Sequence, residues 1–159
     1  MPININEELK FIATTLNESR VDYALCGGLA VAIYGFPRAT MDIDIILEET
    51  TLESATSAVR SLGYVRLPDL KIFNMGKGRD LRVHCFEKTV AEDTLSLDFG
   101  IVPPFLERIW RDRVTVRIDN YELSVVSLDG LKQMKRMSGR PQDLADIERL
   151  EELERDDGD

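Results

Sequence analysis

Residues 21–47 constrain the fold more than any other stretch. Val21 to Cys26 (VDYALC) is rich in strand formers and runs straight into Gly27-Gly28. Leu29 to Tyr34 then reads as a short helix, residues 35–40 (GFPRAT) break it, and Met41 to Leu47 (MDIDIIL) returns to strand character. Strand alternation sends Asp42 and Asp44 to one face and Ile43 and Ile45 to the other. Two anions are therefore held side by side. Left bare they repel, and one takes up a proton; a divalent cation removes that cost by using both as ligands. Carboxylate oxygens suit Mg²⁺ or Mn²⁺, which complete their shells with water and substrate phosphates. For the triplet alone, two aspartates on a solvated strand edge is the competing reading.

The double glycine also has two readings. Backbone N–H groups without a Cβ can cradle a phosphate at a helix N-terminus, or the pair is a tight turn that lets the helix pack closely.

The rest of the chain extends this pattern on both sides. Asn6 to Ser19 is predicted helical, with a cap at Asn6, Glu7 and Glu8 in the first turn, and Leu9, Ile12, Ala13 and Leu16 on one face. Thr50 to Leu62 is a second amphipathic helix stopped by Gly63. Strands are expected at Lys71 to Met75, Leu81 to Phe86 and Leu95 to Val102, with a glycine turn at 76–80. A short helix around Phe105 to Trp110 follows. Val114 to Ile118 and Tyr121 to Val125 form a hairpin through Asp119-Asn120. Helices Leu128 to Met137 and Asp143 to about Leu153, broken at Gly139 to Pro141, close the chain. With no repeat and no linker, this predicts one α/β (α+β) domain, a mixed β-sheet flanked by helices, over residues 1–155, with an acidic tail at 156–159.

Composition matters chiefly through charge. The chain has 159 residues and a net charge of −9, which argues against a protein whose affinity comes from coating phosphate backbones, without excluding a local basic groove. Residues 148–159 carry seven acidic and two basic groups, so the acidity belongs mostly to a solvated C-terminal helix and tail plus a metal site. Residues 2–8 lack the basic start and apolar core of a secretory signal, and no run of 18 apolar residues occurs, which predicts a cytoplasmic protein. Cys26 and Cys85 have no metal spacing and read as buried reduced thiols. His84, Lys77 and Arg79 read as structural or surface groups, and Trp110 as core.

Cys26-Gly27-Gly28 followed by Asp42-Ile43-Asp44 resembles the nucleotidyltransferase superfamily related to DNA polymerase β. Gly35, the Arg38 to Asp44 block and the closing Leu131 to Ile147 (LKQMKRMSGRPQDLADI) are similar to its small stand-alone branch that includes AbiEii-type toxins. The resemblance implies a third carboxylate on a later strand, offered by Asp98 within Leu95 to Gly100 (LSLDFG). It implies metal-dependent transfer of NMP from an NTP such as ATP to a hydroxyl, with release of pyrophosphate. Asp42, Asp44 and Asp98 are then the catalytic and metal-ligating set, holding two Mg²⁺ or Mn²⁺ ions. Gly27, Gly28, Arg38, Thr40, Lys135, Arg140 and Asp143 are the nucleotide-binding set. The implied acceptor is tRNA or protein, and the implied partners are an antitoxin and a second copy of the chain. Modification of a small antibiotic-like molecule, or nucleotide or partner binding without turnover, are the other readings of the same residues.

Overall fold

The computed structural model describes residues 3–36 and 39–157, with side chains described to residue 155. Asn4 rather than Asn6 caps the first helix, α1 (Ile5–Glu18): its Oδ1 accepts from the N–H groups of Asn6 at 3.0 Å and Glu7 at 3.2 Å. The apolar face Leu9, Ile12, Ala13 and Leu16 is buried as its spacing requires. Glu8, on the same helix, is buried too. It accepts from Tyr64 Oη at 2.9 Å and from Lys88 Nζ at 2.8 Å, which pins α1 to the far side of the sheet.

Strand β1 (Ala24–Cys26) leads into helix α2 (Gly27–Ile33), and β2 (Asp42–Leu47) into a 3₁₀ turn at Glu49–Thr51 and helix α3 (Leu52–Arg60). Next come β3 (Val65–Arg66), β4 (Lys71–Asn74), β5 (Asp80–Val90) and β6 (Asp93–Ile101), then a 3₁₀ turn at Pro104–Leu106 and helix α4 (Glu107–Arg111). The chain finishes with β7 (Val114–Ile118), β8 (Tyr121–Val125), α5 (Leu128–Ser138) and α6 (Pro141–Asp157).

Among the described residues these strands make one sheet in the order β3-β5-β6-β2-β1-β8-β7, with β4 added to β5. β2 runs parallel to β6 and β1 parallel to β8, while the other pairs are antiparallel, so the sheet is mixed as expected. The short strand β3 has no counterpart among the expected strands, and two others differ in their bounds. β5 continues past Phe86 to Val90 because polar Glu87 to Thr89 pair directly with Thr94 to Ser96 across a two-residue turn. β1 begins only at Ala24.

The core lies where α1 packs on β8 and α2 on β1 and β2, with α3 against α1. Ile43, Ile45, Leu97 and Phe99 are almost fully buried, and Phe86 tilts against Phe99 with centroids 5.0 Å apart. Burying one such side chain contributes about 1.5–3 kcal/mol. That apolar face of β2 and β6 fixes their register, and with it the direction in which Asp42, Asp44 and Asp98 point.

The C-terminal helices meet at a defined corner. Ser127 caps α5 by accepting from Gly130 N–H at 3.0 Å. Gly139 ends it in the left-handed conformation, φ +64°, with its N–H donating to Lys135 O at 3.0 Å. Pro141 opens α6, where its missing N–H costs nothing. Gly-Arg-Pro is thus a stop and a start placed back to back. The boundary expected at residue 155 falls inside α6, which runs to Asp157.

Candidate active site

The site grows from one row of the sheet. Cα partners across β5, β6, β2 and β1 are Cys85, Asp98, Asp44 and Cys26. Directly opposed residues share a face, so two thiols bracket two carboxylates. Both cysteines are free and buried, as the sequence implied, but their position beside the acids was not legible from it. Burial, followed by the charges of Asp98 and Asp42, pushes the Asp44 carboxyl up to about 7, while Lys135 pulls the other way. Burial also raises Asp98, opposed by the hydrogen bond from Cys85 and the charge of Lys71. Asp44 and Asp98 are directly opposed across β2 and β6, which is how the Asp98 charge reaches Asp44. Burial and then Asp98 push the Cys85 thiol up to about 11, so it stays a donor to that carboxylate.

Gly27 has φ +70°, and a Cβ built there would overlap Asp44 Oδ2 and stand 2.9 Å from its Cγ. The first glycine therefore exists to let the Asp44 carboxylate pack on the backbone, the close-packing alternative of the two sequence readings. Gly28, one residue on, lines the cleft. Thr40 Oγ1 accepts from Asp42 N–H at 3.2 Å, tying the approach loop to the head of β2. Arg38, expected beside it, lies outside the described residues.

Opposite the carboxylates stands an ion-pair cluster from the α5–α6 corner. Lys135 Nζ, its side chain only 8% exposed, lies 3.1 Å from Asp146 Oδ2 and 3.4 Å from Asp143 Oδ1. Arg140 Nε donates to Asp143 Oδ2 at 2.8 Å and its Nη2 to Oδ1 at 3.3 Å, while 68% of the Arg140 side chain is exposed. Asp143 also accepts from Arg140 N–H at 3.4 Å, the N3-to-cap contact of a capping box. Burial alone would raise Asp143, but the Arg140 hydrogen bond and the charges of Lys135 and Arg140 outweigh it and hold the group below the usual carboxylate range. Lys132 is buried and paired with Glu154 at 2.8 Å, and Lys135 is part of the cleft wall.

The cleft has two lobes that share Gly27, Asp44, Asp98, Lys135 and Arg140. The polar lobe, about 390 Å³, brings together Gly27, Gly28, Thr40, Asp42, Asp44, Asp98, Lys135, Arg140 and Asp143. These are all the expected site residues that are described. The second lobe, about 240 Å³, is lined by Met75, Leu81, Val83, Leu131 and Met134. Lys71 and Phe73 of β4 also line the cleft, and sequence reasoning passed over both. The available signal was alternation, which puts residues 71 and 73 on one face, but it points to the cleft only once β4 is paired with β5 and β5 with β6.

As to a metal, the donor set is all carboxylate oxygen beside water-accessible volume, which fits a hard divalent cation. Among the described residues, no group of three or more His, Cys, Asp or Glu is gathered to hold an ion. Asp44 and Asp98 form the close pair, and Asp42 acts on both through charge.

No family model matches the chain, and no curated protein matches it. Solved structures do. The lincomycin-bound lincosamide antibiotic adenylyltransferase LnuA superposes with a TM-score of 0.62 at 17% identity, covering 91% of this chain and 95% of that one. A Thermotoga maritima protein described as a nucleotidyltransferase gives 0.62 and 17%, covering 95% and 91%. The complex of ANT(2")-Ia with adenylyl-2"-tobramycin gives 0.57 and 13%, covering 91% and 85%. At these identities the likeness is one of fold, over nearly the whole length of each chain.

Proposed function

We propose that this chain is a nucleotidyltransferase that moves a nucleoside monophosphate from an NTP to a hydroxyl acceptor and releases pyrophosphate. One observation carries the reading: Asp44 and Asp98, in register on parallel strands, lie at the floor of a cleft whose rim is Gly27-Gly28 and whose far wall presents Lys135 and Arg140. The nucleotidyltransferase fold of the structures it resembles supports it.

Asp42, Asp44 and Asp98 are the residues that would hold Mg²⁺ or Mn²⁺. The bound ions supply Lewis-acid neutralisation of the triphosphate and a lowered pKa for the acceptor hydroxyl. Asp98 accepts the hydroxyl proton as the acceptor oxygen bonds to the α-phosphorus. The bond from that phosphorus to the bridging oxygen breaks, and its electron pair leaves with pyrophosphate. Backbone N–H groups at Gly28 and the open side of the Arg140 guanidinium hold phosphate oxygens, so the reacting atoms meet in line. Lys135 is fixed by Asp143 and Asp146, and stabilises charge on the leaving group without having to be ordered at the moment of reaction. The acceptor drawn from the sequence resemblance is tRNA or protein, with a toxin role attached to it.

Incubation with each α-labelled NTP and Mg²⁺ or Mn²⁺, in the presence of total tRNA, cell protein or small hydroxyl compounds in turn, tests this. Label on one acceptor class, lost in Asp98→Asn, is the expected result. Nucleotide bound with no label on any acceptor or on the protein itself would overturn it.

A further inference from the structure

We infer that strand β4 is the acceptor-binding strand of the cleft, and that Lys71 and Phe73 recognise a nucleotide unit, the aromatic ring by stacking and the ammonium by pairing with phosphate. This rests on the transferase reading above and names the acceptor chemistry of that site.

Four observations carry it. Lys71 and Phe73 lie two residues apart on a strand, so both face the same way, and both line the polar lobe. Phe73 is 46% exposed and lines the apolar lobe as well, so a large aromatic face stands uncovered at the junction of the two. Lys71 makes no ion pair among the described residues, whereas Lys135 and Arg140 are held by Asp143. The sheet order also divides the cleft: β4 lies beyond β5 on the Asp98 side of the row, whereas Lys135 and Arg140 come from the α5–α6 corner that follows β8 on the Asp44 side. The donor triphosphate has its cations on one flank of the carboxylate pair. The other flank carries Lys71 beside an aromatic ring, on the side of the group assigned to take the acceptor's proton.

The surroundings match an anionic ligand. In a chain of net charge −9, residues 66–82 hold five basic and two acidic groups. Stacking on an aromatic side chain tolerates any base, while a lysine–phosphate contact adds salt-dependent affinity without sequence preference. A free nucleotide and the 3′ end of a single-stranded RNA share this chemistry.

The test measures binding, with the donor side filled by Mg²⁺ and α,β-methylene-ATP, whose α-phosphorus cannot be transferred. The probe is a 5′-fluorescein RNA tetramer with a free 3′ hydroxyl, read by anisotropy, with AMP as competitor. Phe73→Ala is expected to weaken binding at least about fivefold and Phe73→Tyr to restore it. Lys71→Ala should weaken it and lower the slope of log K against log salt by about one. Ile72→Thr, on the opposite face of β4 and absent from the cleft lining, should leave it unchanged. Competition by AMP at concentrations matching the tetramer identifies a free nucleotide as the ligand; failure of AMP to compete identifies the strand end. Either supports the inference. Binding of neither probe, or equal affinities for wild type, Phe73→Ala and Lys71→Ala, overturns it. Binding does not require turnover, so these results stand whether or not label is ever transferred. Label transfer to an acceptor indifferent to both substitutions would overturn this inference and leave the transferase reading in place.

Discussion

Asp44 is the residue around which the others are arranged, and the space for it comes from a hydrogen atom. Gly27 combines a left-handed backbone with a Cβ direction that points into the Asp44 carboxylate. Gly27→Ala therefore incurs two costs, the positive φ and the displacement of a half-buried acid. We expect a loss of about 2–4 kcal/mol, of which the backbone term is about 1. Thermal or urea denaturation reads the total, and the transfer assay should fall further than stability alone would explain, because the acid is moved from Asp98. A variant as stable and active as wild type would show that the glycine is there for another reason. The sequence carried the spacing of Gly27 to Asp44, but not that one sits on the other, because contact between α2 and β2 exists only once β1 and β2 have paired antiparallel.

At the scale of elements, the α5–α6 corner illustrates what patterning can and cannot show. Gly139 and Pro141 were legible as a break, since one favours a left-handed stop and the other a helix start. The burial of Lys135 was not. Lys132, Lys135 and Arg136 share one face of α5, and only the docking of α6 closes that face with Asp143, Asp146, Glu151 and Glu154. The same step explains why β3 was missed: two residues, Val65 and Arg66, have no period and are strand only because β5 is beside them. Asp143 both caps α6 and holds Lys135 and Arg140, so its loss strips three contacts at once. Asp143→Ala should cost about 3 kcal/mol, in the range for breaking a buried pair while its partner stays buried. Asp143→Asn keeps the cap geometry and should cost less. The sign with pH follows from the depressed carboxyl. Its contribution is present above the ordinary aspartate pKa near 3.8 and is lost as pH falls through the lower folded value. Denaturation midpoints from pH 2 to 6 should therefore fall less steeply in Asp143→Ala than in wild type, and parallel curves would refute the assignment.

Across the whole molecule, the net charge of −9 divides into parts with different work. Much of the C-terminal acidity is counter-charge: Glu151 and Glu154 pair with α5, and Leu150 is buried in the core, so α6 is a structural wall rather than the solvated appendage its composition implied. The acidity at the cleft floor acts the other way. Asp44, raised to about 7 in the fold against 3.8 in the unfolded chain, contributes stability that is fully present below pH 3.8 and is lost as pH rises to 7. For the metal-free protein that loss is at most about 4 kcal/mol. A site that destabilises the molecule carrying it is expected where a ligand, in the proposed reading a divalent cation, restores what folding gives up. The decisive measurement joins both sides of this account in one protein. Asp44→Asn, assayed metal-free at pH 8 for its thermal midpoint and with Mg²⁺ or Mn²⁺ for NMP transfer, should melt higher than wild type and transfer nothing. A variant that melts lower than wild type, or one that still transfers, would contradict the assignment of Asp44 as the strained acid at the centre of a nucleotidyl-transfer site.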